Sequence, residues 1–286
     1  MLSEYQAVSI PNSEIRTLDS TIVGDTFELA IVLPGGYAQS NARYPVVYAF
    51  PASPDVYLLW SIFSELAKSS EPPPVILVGV GYPTHDQRDL LRLRIRDHMP
   101  SPDEEMDGEL AAYIEQPSVH ADGAPQLLDA LEQEIFPFVN ANYRTKHDDR
   151  TFVGMSSAGI LGVHALLNHP GAFQRYVCVS PPLFRSDKAI FRDEQAYFEE
   201  HDDLSAQVFL AVGEMEEDKD PFPLIKPQYR FTSNLVALAE TLAARGYPGL
   251  DLAWHVFEGE SHLSVVPAAY SRGLRHVFRF ETGGEG

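Results

Sequence analysis

Short unbroken apolar runs constrain this chain more than any other feature: "YPVVYAF" (44–50), "PPVILVGVG" (73–81), "TFVGM" (151–155), "RYVCVS" (175–180) and "AQVFLAVG" (206–213). Each is bounded by Pro, Gly or polar residues and is too short for a buried helix. A strand that is apolar at every position is covered on both faces, which is the condition of a parallel sheet sandwiched between helices. Segments with helical spacing lie between them: "VYLLWSIFSELAKSS" (56–70), 125–143, 157–168 and 232–246. Pro137 is expected to end or kink the second of these. "LDLAWHVFEG" (250–259) adds a strand, and "SVVPAAYSRGLRHVFRF" closes with a helix. Near the N-terminus, "IRTLDSTIVGDTFELAIVLP" reads as a hairpin turning at Gly24-Asp25. The expectation is an α/β chain with a mostly parallel central sheet, helices on both faces and no linker, so one domain over 1–286. Three polar, Pro-rich or acidic stretches break the rhythm, near 83–123, 183–204 and 215–231. Loops of that length are expected to act as cap or lid insertions.

The junction "TFVGMSSAGILG" (151–162) carries the first chemical signal. It nearly spells G-x-S-x-G, a serine on a sharp strand-to-helix turn that lifts the hydroxyl above the sheet and aims the next backbone N–H at a developing oxyanion. Strand and helix approach closely there, so small residues are needed. Gly154 meets that need, Ala158 stands where the second Gly belongs, and Gly159 can compensate. Ser156 is thus the candidate nucleophile and the amide of Ser157 the candidate oxyanion donor. A serine hydroxyl needs a base to take its proton.

Of the ten histidines, His164 and His169 fall along the following helix and His255 inside an apolar strand, where packing roles are expected. His85, His98, His120, His147, His201 and His276 lie in loops or near helix ends with no base-like context. His262 sits in "FEGESHLSVVP", a polar turn after the last strand. That position fits the chain order Ser, acid, His of α/β-hydrolases. The acid should follow the preceding strand, where "VGEMEEDKD" offers Glu214, Glu216, Glu217, Asp218 and Asp220; the residues themselves do not select among them. A second oxyanion amide is expected from the turn after "YPVVYAF". Pro51 has no N–H, which leaves Ala52 or Ser53.

Composition excludes other classes. The formal net charge of −20 repels phosphate backbones and anionic membranes. No apolar run reaches the length of a membrane span, and "MLSEYQAVSIPNSEIR" lacks a signal-peptide pattern, so a cytoplasmic site is expected. The single Cys178 rules out an internal disulfide and reads as an inert core thiol.

Taken in order, these segments resemble the esterase D-like esterases of the α/β-hydrolase superfamily, in their siderophore-esterase-like branch. "YPVVYAF" resembles the family's third strand. "VILVGVGYP" followed by "RIRDHMP" resembles its R-x-R-D-x-x-P segment, and "FVGMSSAG" its nucleophile turn. "HPGAFQRYVCVSPPL", "VGEMEE" and "GESHLSVVPAAYSRGLRHVF" resemble the stretches that follow. The similarity runs over about residues 10–280. It implies an α/β-hydrolase fold with Ser156 as nucleophile, His262 as base, Glu216 as acid and the amides of Ser157 and Ser53 as the oxyanion hole. It also places Arg94, Arg96 and Asp97 beside the site in a structural or site-shaping role. Two departures stand out: Pro51-Ala52 in place of Asp-Gly or His-Gly, and Ala158 in place of Gly. The function implied is a serine carboxylic-ester hydrolase that acts through an acyl-enzyme on a small or aromatic ester or lactone, without metal or organic cofactor. An acyltransferase on the same Ser–His site and a non-catalytic binding protein are the alternatives. The expected partner is a small-molecule ester, with no nucleic acid and no membrane; a homo-oligomer stays open.

Overall fold

The Gly24-Asp25 hairpin forms as β1 (Ser13–Asp19) and β2 (Thr26–Val32), paired antiparallel. β2 then pairs antiparallel with β4 (Ile76–Gly81), and from there inward every pairing is parallel. β3 (Tyr44–Phe50) lies between β4 and β5 (Thr145–Met155). β6 (Arg175–Val179), β7 (Ala206–Gly213) and β8 (Leu250–Phe257) follow side by side. The strand order is β1-β2-β4-β3-β5-β6-β7-β8, the mixed but mostly parallel sheet of an α/β-hydrolase. The computed structural model describes residues 9–51, 55–69, 71–117 and 120–279.

Why the central strands are apolar throughout is visible in how they divide. Val46, Tyr48 and Phe50 of β3 enter one core cluster, while Val47 and Ala49 enter the other. The two-residue side-chain period thus feeds a core on each face. α1 (Asp55–Leu66) and α9 (Val266–Val277) cover one face through Leu59, Tyr270 and Leu274. α4 (Ala124–Ala130), α5 (Phe136–Asn142), α6 (Ser157–Asn168) and α8 (Phe231–Arg245) cover the other. Cys178 is buried on β6, and burial pushes its thiol up, away from reactivity. Among the described residues no helix is long and apolar enough to cross a membrane.

Several expectations need correction. The stretches near 83–123 and 183–204 are largely helical: α2 (Gln87–His98), α3 (Glu104–Ile114) and α7 (Arg185–Glu200). In α2 and α7 charged residues outnumber apolar ones, which hid the periodicity. α2 nevertheless has a strong start, with Asp86 accepting from the N–H groups of Arg88 and Asp89. The segment 215–231 is irregular, with short 3-10 turns at Glu214–Glu217 and Pro227–Tyr229. Pro137 does not end its helix. The helical run continues from Ala124 to Asn142, and a π-helical turn, Leu131–Ile135, just before Pro137 breaks the regular ladder where the missing N–H would fall. β5 begins at Thr145, earlier than its apolar run, because its outer end is a polar, mostly exposed extension.

Candidate active site

Ser156 sits between the last residue of β5 and the first of α6 with φ 58° and ψ −118°. That is a strained backbone for a residue with a Cβ, and the surrounding hydrogen bonds hold it. The Ser156 N–H donates to the Val179 carbonyl at 2.8 Å, and its own carbonyl accepts from Ile160 N–H at 3.1 Å. The tolerance for Ala158 also has a geometric cause. A Cβ on residue 154 would lie 2.8 Å from the Ala158 Cβ, so the glycine before the serine makes room for the alanine after it. Gly159 is where the helix meets β6: a Cβ there would lie 2.7 Å from the Val179 carbonyl oxygen.

His262 Nε2 lies 3.0 Å from Ser156 Oγ, and His262 Nδ1 lies 2.6 Å from Glu216 Oε2. Both His262 and Glu216 are fully enclosed, at 2% and 0% exposure. The other Glu216 oxygen accepts from Ser180 Oγ at 2.6 Å and from Gly213 N–H at 2.7 Å. Every group around this carboxylate is therefore a donor, and the network puts the proton of the neutral imidazole on Nδ1. Nε2 is then free to accept from the Ser156 hydroxyl. The turns after β7 and β8 are stitched together to bring Glu216 and His262 into register. Met215 N–H donates to the Glu260 carbonyl at 3.0 Å. A side chain at Gly213 would collide with that same carbonyl, so only glycine fits. Asp220 accepts from His262 N–H at 2.6 Å and from Phe222 N–H at 2.8 Å. The Phe222 ring then lies parallel to the imidazole, and Phe231 packs against it edge-on.

The tertiary structure thus selects among the acids. Glu214 accepts from Gly259 N–H, Glu217 takes the backbone N–H and hydroxyl of Ser233 in the first turn of α8, and Asp218 faces Lys219 at the surface. Only Glu216, among the described residues of this run, reaches the His262 imidazole; Asp220 meets its backbone N–H. Ser157 is buried behind Ser156. Ser53, with the rest of the turn at 52–54, lies outside the described residues. Arg96 and Asp97 are structural: they pair with each other at 2.6 and 2.8 Å, and also with Asp25 and Tyr82. Arg94 shapes the site, donating to Ser157 Oγ at 3.2 Å.

His98 lies at a helix end, as expected, and it closes α2 against the nucleophile turn. It is buried on α2, 3.2 Å from Ser157 Oγ. Burial first, then the Arg94 charge, hold its pKa well below 6.5. The unfolded chain therefore takes up the proton that the folded chain refuses. Stability is full above about pH 6.5 and falls as the pH drops below it. The melting temperature is expected to fall between about pH 8 and about pH 5, and His98→Asn to flatten that acid limb. An unchanged pH slope in the variant would remove His98 as its source. Asp55 shows the opposite sense: burial raises its carboxyl to about 6, while Arg94 and a hydrogen bond from Tyr270 pull it back.

Above Ser156 opens a partly enclosed cleft. Its walls are α2, α3 and the 222–231 segment, and its lining is rich in methionine (Met99, Met106 and Met155). Sequence reasoning did not find Ser180, Phe222 or this lining. Ser180 had one signal, its place at the end of β6 beside the nucleophile strand. The others come from segments whose folding is not local.

A hydroxyl bonded to an imidazole that is itself bonded to a buried carboxylate can deliver a serine oxyanion equivalent to an ester carbonyl. The comparisons agree with that chemistry. The family model described as "Putative esterase" matches residues 20–217. Ferri-bacillibactin esterase BesA of Bacillus subtilis is 26% identical over 280 residues, covering 94% of this chain and 90% of that protein. Among solved structures, the BES protein from Bacillus cereus superposes with a TM-score of 0.82 at 25% identity, over 98% of this chain and 100% of that one. An IroE-like serine hydrolase from Shewanella oneidensis gives 0.78 at 26% identity, over 93% and 80%. This chain belongs to the Putative esterase family and is a serine ester hydrolase built on the α/β-hydrolase fold.

Proposed function

We propose that Ser156 is the nucleophile, His262 the general base and acid, and Glu216 the carboxylate that orients His262. The observation that carries this is the continuous hydrogen-bonded chain from Ser156 through His262 to Glu216, at 3.0 and 2.6 Å, at the floor of the cleft. In this reading His262 takes the Ser156 proton as Oγ attacks the ester carbonyl. The amide of Ser157, first in α6, meets the oxyanion with the helix N-terminus behind it. His262 then protonates the leaving alkoxide. An acyl-enzyme remains, and water that gives its proton to His262 releases the acid. The Ser53 amide is the second oxyanion donor in this proposal.

The chain acts in this reading as one domain, with α2, α3, α7 and the 215–231 segment as the cap that sets substrate choice. The substrate proposed is a small or aromatic ester or lactone. The names of the relatives favour the ester bonds of a siderophore within that class. The apolar cleft supports an uncharged or aromatic acyl or alcohol portion. Reaction with an aryl fluorophosphonate, followed by mass spectrometry of the proteolysed protein, tests the assignment. One phosphonyl group on the peptide carrying Ser156 is expected; an adduct on a different residue, or none, overturns it.

A further inference from the structure

A buried arginine lines the cleft, and the chemistry above does not use it. Arg185 begins α7, is 5% exposed, and pairs through Nη2 with Oδ1 of Asp107 on α3 at 2.6 Å, itself 6% exposed. Its other nitrogens are poorly served. Nη1 has the thioether of Met106 at 3.8 Å, and Nε has no hydrogen-bond partner among the described residues. A buried guanidinium N–H without an acceptor is costly to maintain. The backbone beyond it is costly too: Ser186, Asp187 and Lys188 are all left-handed, with φ of 52°, 52° and 57°. That turn is pinned from outside. Asp103 accepts from Ser186 N–H at 2.9 Å, and Arg192 donates to the carbonyls of Asp187 and Ser186 at 2.6 and 3.1 Å. An orphaned donor in the cleft wall, on the residue that leads into a strained turn, calls for a ligand that answers the donor.

We propose that Arg185 is a specificity-determining residue: it donates to an uncharged carbonyl oxygen on the part of the substrate seated in the cleft, away from the scissile ester. This rests on Ser156 as the reacting group. The acceptor at this position is uncharged because the charge of Arg185 is already met, while Arg94, the other arginine of the lining, is turned to Ser157 with the Asp55 charge near it. Asp107 balances Arg185, and Lys226 sits 2.5 Å from Glu109, the acidic group of the lining. A carboxylate beside Arg185 would have to shed its water among methionine and leucine side chains and compete with Asp107 for the same guanidinium. The substrates favoured are thus esters with a second carbonyl: oxo-acyl esters, amide-bearing esters and oligoesters.

Two ester series test this: p-nitrophenyl hexanoate with its oxo derivatives, the ketone moved along the chain, and acetates of hexanol with the matching oxo-alcohols. The carboxylate counterpart, p-nitrophenyl hydrogen glutarate, is a third arm. Each rate is corrected for its reaction with hydroxide. In the wild-type protein one ketone position in one series is expected to raise kcat/KM about tenfold or more over the plain ester. In Arg185→Met/Asp107→Asn, which removes the pair together so that no lone carboxylate is buried, that ratio falls to about one. A flat ketone scan in both wild-type series overturns the proposal without needing the variant to fold. So does a ratio preserved in the folded variant, or a preference for the glutarate over every ketone. Plain-ester turnover in Ser156→Ala, read in the same assay, reports on the nucleophile separately, so either assignment can fail without the other.

Discussion

Ser156→Ala is expected to lower kcat for p-nitrophenyl ester hydrolysis by a factor on the order of 10⁵ to 10⁶, with the melting temperature nearly unchanged. The size follows from the loss of covalent catalysis: without Oγ there is no acyl-enzyme, and His262 has no proton to take. What remains is the rate that the oxyanion amides and the cleft can give to attack by water. Stability should hold because Oγ makes its hydrogen bond to His262, and the backbone bonds to Val179 and from Ile160 that hold the turn stay intact. Steady-state kinetics and a thermal melt on the same preparation check both halves. Turnover within about tenfold of wild type would remove Ser156 from the mechanism.

Glu216→Gln is expected to cost roughly 10⁴-fold in kcat, although it keeps the shape of the side chain. The amide oxygen can still accept from Ser180 and Gly213, which occupy one side of the group. Its NH2 must then face His262 Nδ1. A donor there turns Nδ1 into an acceptor and moves the imidazole proton to Nε2, facing Ser156. The base then has no lone pair for the serine proton. Glu214→Gln and Asp218→Asn, whose carboxylates bond to Gly259 and face Lys219, are expected to stay within about twofold. Wild-type turnover by Glu216→Gln would take it out of the triad; a large loss in either neighbour would move the acid to that position.

The surroundings of Glu216 explain why its loss should be felt so strongly. The carboxylate is completely buried, and three donors from three elements converge on it: the end of β6, the end of β7 and the turn carrying His262. Such a group orients its partners only while it accepts from all of them. Asp220 and Phe222 add a second restraint on His262, from its backbone and from its ring face.

What the sequence by itself determined is the frame and the two candidates, Ser156 and His262, for the proposed proton transfer. Apolar runs without alternation can be buried only between two layers of helix, and a serine between Gly154 and Gly159 can only be a tight turn. His262 follows because the turn after the last strand of such a sheet opens at the same edge as the nucleophile turn. The tertiary structure alone decided the rest. Five carboxylates within seven residues are equivalent in sequence, and they differ only in which way the 3-10 turn Glu214–Glu217 and the chain just after it point each one. Helices α2, α3 and α7 were hidden because their charged residues face partners distant in the chain, as Arg185 faces Asp107 and Arg94 faces Ser157. Local pattern records the preference of a segment for water or core. It does not record which buried charge meets which, and that pairing, settled by long-range packing, is what turns this cleft into a site.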